Sequence, residues 1–198
     1  AYEAGYRTQP TDNLSLDLTA FFNDYDDLQT SKLESSVDLI LLQAVINTSP
    51  ENKMEGETYG AELSAKWQPL NWINFQAAYS YLEIQLHLKQ DGTQSPTAED
   101  AEGNSPHHQV SMRTNMDLRE NLELNLWLRY IDSLPNKNID HYTTLDVRLG
   151  WRPLKNLELA LVGQNLLDDQ HPEFTADYLD TESTEMERSF YGKITWEF

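Results

Sequence analysis

The chain has 198 residues, of which 39% are hydrophobic, 11% aromatic and 24% charged, with a formal net charge of -19. That is enough chain for one domain with a real core, and its regularly recurring aromatic and branched residues exclude a disordered polymer. The acidity argues against nucleic acid as a partner, and the absence of cysteine removes disulfide frameworks, thiolate metal sites and cysteine nucleophiles together.

The N-terminus, AYEAGYRTQ, carries no basic region followed by an apolar stretch and cleavage site, so no leader is read there. It reads instead as the middle of a strand, and the chain is expected to be part of something longer. The longest apolar run, LILL at Leu39 to Leu42, falls far short of the ~20 residues a membrane helix needs.

Period-two alternation dominates from there on. One parity is apolar in every segment: Tyr2, Ala4, Tyr6; Leu14 to Phe22; Tyr59 to Trp67; Ile73 to Tyr81; Val110 to Leu118; Leu122 to Tyr130; Leu145 to Trp151; Leu157 to Leu161; and Phe190, Ile194, Trp196, Phe198. Nine strands are therefore expected near 2–8, 14–23, 57–67, 73–82, 109–118, 122–131, 142–151, 157–165 and 188–198. The opposite parity holds the charges, among them Arg7, Asp17, Glu62, Lys66, Arg113, Asp117, Glu123, Arg129, Asp146, Arg148, Glu158 and Lys193, and none falls on the apolar set. A charge facing hydrocarbon costs about 2–4 kcal/mol at the bilayer midplane, whereas a soluble sheet tolerates one at its margins. So clean a division favours lipid on the apolar side.

The connections add a second asymmetry. Links near Gln9 to Asn13, Gln68 to Trp72, Leu118 to Asn121 and Arg152 to Asn156 are tight, and those at 24–56, 83–108, 132–141 and 166–187 are long. They alternate strictly, which gathers every short turn at one end of the sheet, as in a transmembrane barrel with periplasmic turns and long outer loops. Trp67, Trp72, Trp151, Trp196 and Phe198 cluster at the short-turn end, and Phe22, Tyr79, Tyr81 and Tyr130 at the other, as interfacial belts require. WQPLNWINF and WRPLKNLEL each place a proline, Pro69 or Pro153, two residues past a Trp, where it stops the ladder and pre-sets the turn. The final SFYGKITWEF then reads as a closing strand whose terminal aromatic Phe198 faces lipid, with the C-terminus on the periplasmic side. Bacterial single-chain barrels have an even strand number, so nine strands mark the C-terminal portion of a larger antiparallel up-and-down transmembrane β-barrel, all-β throughout.

LTAFFNDYDDL, MEGETYGAELSAKWQPL, LVGQNLLDDQHPEF and SFYGKITWEF resemble the C-terminal half of TonB-dependent receptors over nearly the whole chain. The resemblance implies a parent barrel of roughly 22 strands, with residues 1–198 as the C-terminal part of one barrel domain. The N-terminal plug domain and first strands lie outside this chain. It also implies uptake across the bacterial outer membrane of a scarce nutrient such as a ferric siderophore, haem, cobalamin or an oligosaccharide. The implied partners are that small molecule, outer-membrane lipid and lipopolysaccharide, TonB through the missing N-terminal region, and barrel-assembly machinery through the closing strand. Gly56, Glu57, Gly60 and Glu62 match the family's start of a strand, and Asn165, Leu166 and Asp168 its strand-to-loop junction; all are read as structural.

Most of the charged parity reads as a solvated, cross-paired wall. Phe21, Trp127 and Arg129 stand apart as inward-pointing candidates for gripping a ligand by stacking or charge. The excess acid sits in the connections, as in Asp168, Asp169, Glu173, Glu182, Glu185 and Glu187, or Asp24, Asp26, Asp27, Glu51 and Glu55. Carboxylates suit Ca²⁺, but no EF-hand spacing is present, and no metal or cofactor is assigned. His107, His108, His141 and His171 are expected to be solvated loop residues. No nucleophile elbow, phosphate loop, HExxH or paired-carboxylate motif is present, so no catalysis is expected. The alternatives are a passive porin-type barrel or, from another class, a soluble β-sandwich binding module.

Overall fold

A computed structural model of the chain describes residues 1–38, 43–89, 98–175, 182 and 184–198. Eleven strands, numbered in chain order, are β1 (Tyr2–Thr11), β2 (Leu14–Asp38), β3 (Gln43–Leu70), β4 (Ile73–Leu88), β5 (His108–Arg119), β6 (Leu122–Ile131), β7 (Tyr142–Leu154), β8 (Leu157–Gln164), β9 (Gln170–Pro172), β10 (Glu185–Glu187) and β11 (Ser189–Trp196). Nine of them form one antiparallel sheet in the order β1-β2-β3-β4-β5-β6-β7-β8-β11, and β9 pairs with β10 alone. This is the up-and-down meander that the strict alternation of connections predicts.

Register turns the alternation into two faces. One row runs Tyr6, Leu18, Leu63, Tyr79, Val110 and Tyr130, and the row beside it runs Leu16, Ala65, Ala77, Met112, Leu128 and Leu145. The other face carries rows such as Arg7, Asp17, Ser64, Ala78, Ser111 and Arg129. The apolar rows do not converge on a shared interior. Tyr6 is 67% exposed, Leu161 60% and Ile194 74%, and no large side chain among the described residues is fully buried. A β-sandwich needs a second sheet over that face, and none covers it among the described residues.

Each short connection is a two-residue turn, at Asp12–Asn13, Asn71–Trp72, Glu120–Asn121 and Lys155–Asn156. A register shift sits beside each one, between Thr8 and Thr11, Trp67 and Leu70, Asp117 and Arg119, and Trp151 and Leu154. Pro10, Pro69 and Pro153 fall within these shifts, where a missing N–H costs no ladder bond. The carbonyl of each second turn residue accepts from the strand beyond the hairpin: Gln68 N–H to Asn13, Asp117 N–H to Trp72, Arg152 N–H to Asn121 and Glu197 N–H to Asn156, at 2.8 to 3.0 Å. Every turn is thereby tied to the next hairpin. Trp67 stacks on Phe75 at this end, with ring centroids 5.6 Å apart.

The other end departs from the sequence reading. The expected 24–56 connection is instead a continued ladder, with β2 paired to β3 as far as Asp38 and Gln43 and a bulge between Tyr25 and Leu28. Here the sequence no longer alternates while the backbone pairing goes on; periodicity is blind to such a strand. Gly56 and Glu57 consequently lie inside β3, not at its start. The tip at 39–42 lies outside the described residues.

The 83–108 connection is likewise shorter than expected. β4 outruns β5, and its uncovered edge is met by the 3-10 helix Glu99–Asn104: Leu86 N–H donates to Glu102 at 2.5 Å and Leu88 N–H to Glu99 at 2.7 Å. In 132–141 a second 3-10 turn, Pro135–Lys137, packs against that helix, and Asn136 donates to Asn104 at 2.7 Å. At the short-turn end β11 stops at Trp196, the Glu197 N–H still bonds the Asn156 carbonyl, and Phe198 beyond it is fully exposed.

Candidate functional site

On the polar face, charged side chains are paired across strands, as like-row neighbours in a sheet can be. Arg7 meets Asp17, and at the short-turn end Arg148 meets Glu123 and Glu158, with Arg152 bridging the same two acids. These pairs are solvent-accessible, and exposed pairs of this kind contribute little stability each. They keep the wall polar yet nearly neutral.

Trp127 lies at the middle of this face, where β5, β6 and β7 bring Arg113, Trp127 and Asp146 into one row. The guanidinium of Arg113 sits 4.0 Å from the ring centroid and that of Arg129 4.1 Å. The indole N–H donates to Ser111 Oγ at 2.9 Å. Arg129 also donates from Nη2 to Asp146 Oδ2 at 2.9 Å, and Asp146 Oδ1 accepts the Asn165 backbone N–H at 3.0 Å. Arg129 Nε is buried without a partner. With cations against it and its N–H engaged, Trp127 is a clamp for two arginines rather than an open stacking platform.

A depression of about 580 Å³ opens beside it, lined by Asp17, Glu62, Ser80, Gln109, Trp127 and Arg129 among others. Phe21 is not part of it. It lies on β2, four strands from Trp127, about 19 Å at the usual strand spacing, and borders a neighbouring hollow with Glu3 and Asn23 that shares Glu62 with the first. The sheet brings Trp127 and Arg129 together and leaves Phe21 apart. Phe21 instead covers Gly60, its register partner.

Asn165 and Asp168 mark a compact junction where β8 ends. Asn165 adopts a left-handed backbone (φ 51°), is buried, and donates from Nδ2 to the Met186 carbonyl at 3.0 Å. His171 is 6% exposed, stacked on Tyr142 with centroids 4.0 Å apart, and its Nδ1 lies 3.0 Å from Asp168 Oδ2. Glu173 lies 3.4 Å from Nε2. The expectation of a solvated His171 is therefore wrong: the aromatic face of Tyr142 and two carboxylates shelter it from water. His108 is ordered as well, stacked near Tyr79 and accepting or donating a 2.9 Å bond with its hydroxyl.

Sequence reading missed Arg113 and Asp146 as members of the Trp127 cluster. Parity placed all three on one face, but only register decides which residues stand side by side. Among the described residues no group of three His, Asp or Glu side chains is arranged to hold a metal ion; part of the acidic 166–187 connection lies outside them.

A single antiparallel sheet with one apolar face, one charge-paired polar face and all its tight turns at one end is a wall of a transmembrane β-barrel. The chain belongs to the TonB dependent receptor-like β-barrel family, whose description matches residues 1–166. Among solved structures it is similar to the ferric-catecholate import receptor Fiu of E. coli K12, with 18% identity, a TM-score of 0.70, and coverage of 99% of this chain and 27% of that one. It is similar too to the ferripyoverdine receptor of the Pseudomonas aeruginosa outer membrane (15%, TM-score 0.67, 100% and 27%) and to the siderophore receptor PiuA of Acinetobacter baumannii (20%, TM-score 0.68, 98% and 28%). The chain thus spans just over a quarter of these structures. No curated protein matches it.

Proposed function

We propose that this chain forms the C-terminal wall of an outer-membrane transporter that takes up a scarce nutrient such as a ferric siderophore, with energy relayed through TonB by a part of the protein outside these residues. The observation that carries the reading is the register itself, which places an uninterrupted apolar surface on one side of nine strands and paired charges on the other, within this family's barrel. The apolar face meets lipid and lipopolysaccharide, the polar face lines the lumen, and the short turns lie on the periplasmic side with the C-terminus. Haem, cobalamin and oligosaccharides are the other nutrient classes in view. Transport rather than catalysis is the proposed activity. Within the wall, Trp127 and Arg129 bound the lumenal depression, while Phe21 is proposed as a packing residue.

The test is accumulation of labelled ferric siderophores and other candidate nutrients by cells with and without the gene that carries this chain, each with TonB present or deleted. Uptake of one ligand that requires both is the expected result. Uptake that persists without TonB would replace this reading with the passive porin.

A further inference from the structure

The lumenal row that crosses β3, β4 and β5 runs Lys66, Gln76, Arg113, and it sets two cations side by side without the carboxylate partners that most arginines of this face have. Arg7, Arg129, Arg148 and Arg152 all meet carboxylates. Lys66 and Arg113 meet none among the described residues, although the protein carries 33 acidic side chains. Between them stands a neutral Gln76 where a carboxylate would have neutralised both. Both cations are exposed, so at about 10 Å between backbones water and salt screen most of their mutual repulsion, but an oxyanion between them would meet two positive charges at once. Arg113 is also held in place: Trp127 packs against its guanidinium at 4.0 Å, while the second arginine on that ring is already committed to Asp146. A fixed guanidinium with free donors is the geometry that recognises an oxyanion. A hollow of about 170 Å³ is lined by these residues together with Ser64 and Ser111, whose hydroxyls add donors.

We infer that Lys66, Gln76 and Arg113 form an oxyanion-binding subsite in the wall, taking a carboxylate or phosphate group. The group is supplied either by a free solute in the lumen or by an acidic side chain of a protein segment that fills it. This hollow adjoins the depression beside Trp127, sharing Ser64 and Ser111 with it, and differs from it in holding Lys66, Gln76 and Arg113; the assignment rests on the polar face being lumenal, not on which nutrient is carried.

The experiment uses the intact receptor that contains this wall, with citrate and inorganic phosphate as probes in calorimetric titrations. A free-solute site predicts binding that weakens about tenfold or more in Lys66→Gln/Arg113→Gln, a loss of about 1.4 kcal/mol, with the heat-modifiable gel mobility of the folded barrel unchanged. A site filled by a protein carboxylate predicts no probe binding, but a lower unfolding temperature for Lys66→Glu/Arg113→Glu than for the Gln pair, because repulsion replaces attraction. Lys193→Glu, at an exposed cation on the same face, controls for added negative charge. Absence of probe binding together with equal unfolding temperatures for the Glu and Gln pairs overturns the proposal.

Discussion

The ring of Phe21 covers Gly60: a Cβ built on Gly60 would lie 2.7 Å from Phe21 Cζ and 2.1 Å from the carbonyl oxygen of Tyr81. The two residues are register partners on β2 and β3, so an aromatic on one strand roofs the bare backbone of the next, a known way to recover the packing a strand glycine forfeits. The side chain can rotate away but the Tyr81 carbonyl is fixed in the ladder. Gly60→Ala is therefore expected to destabilise the intact barrel by about 1–3 kcal/mol, read as a lower urea midpoint. Adding Phe21→Ala is not expected to relieve it. Full rescue by the second substitution would show that the ring, not the ladder, sets the limit.

Lys89 ties the projecting β2–β3 hairpin to β4. Its ammonium reaches Asp26 and, at 2.8 Å, Asp27 at the β2 bulge, where Asp27 has a left-handed backbone, while its N–H donates to the Lys53 carbonyl. The hydrogen bond from Lys89 holds the Asp26 carboxyl below its ordinary range, and the bonds to Asp26 and Asp27 hold the Lys89 ammonium above its own. A lowered carboxyl pKa stabilises above the unfolded value of about 3.9 and loses its effect as pH falls through the folded value; a raised lysine pKa stabilises fully below about 10.4 and loses its effect as pH climbs through the folded value. The clamp is thus closed between roughly pH 4 and 10. Protection of the amides in residues 24–30 and 51–56, taken relative to their intrinsic exchange rates, is expected to fall below that window, and Lys89→Met should lower it at neutral pH. Unchanged exchange in the variant would remove the clamp.

The two faces, the nine strands of the sheet and the four tight turns were legible because lipid enforces a strict period of two and each turn is marked by Pro, Asn or Asp. The extension of β2, β3 and β4 was not: residues 24–38 and 43–56 do not alternate, and in β4 the apolar parity switches from Tyr79 and Tyr81 to Ile84, Leu86 and Leu88. Nor was the Trp127 cluster. Arg113 and Asp146 lie fourteen and nineteen residues from Trp127 in sequence, and a pairing shift of one residue would have sent them to the opposite face. His171 sat in plain view within LVGQNLLDDQHPEF, but the Tyr142 ring that shelters it comes from another strand.

At the junction after β8, Asn165 serves twice, by its backbone and by its amide. Gly keeps the left-handed conformation and loses the bond to the Met186 carbonyl and the longer contact with His171 Nδ1, so Asn165→Gly is expected to cost about 1 kcal/mol. Asn165→Val loses the same contacts and forces a β-branched residue to positive φ, which adds about 1–3 kcal/mol. Chemical denaturation of both variants in the intact barrel checks the order. Val tolerated as well as Gly would mean that the loop simply rearranges.

Arg129 and Asp146 offer the sharpest separation of pairing from packing. Asp146 is 16% exposed at its side chain and Arg129 32%, and one carboxylate oxygen keeps the Asn165 N–H whatever happens to the arginine. Arg129→Met strips the other oxygen of its partner and one face of Trp127 of its cation. The expected loss is about 1–2 kcal/mol: a charged hydrogen bond discounted for the solvent that reaches the pair, plus a partly exposed cation–π contact. Asp146→Asn keeps one oxygen, enough for either Arg129 or the Asn165 N–H, and turns its amide N–H₂ toward the other donor, so it should cost a similar amount. In the double variant Arg129→Met/Asp146→Asn no unpaired charge remains at the site, so the loss should be smaller than the sum of the singles, a coupling visible in a double-mutant cycle. Strict additivity would show that the two side chains are held by the wall and not by each other.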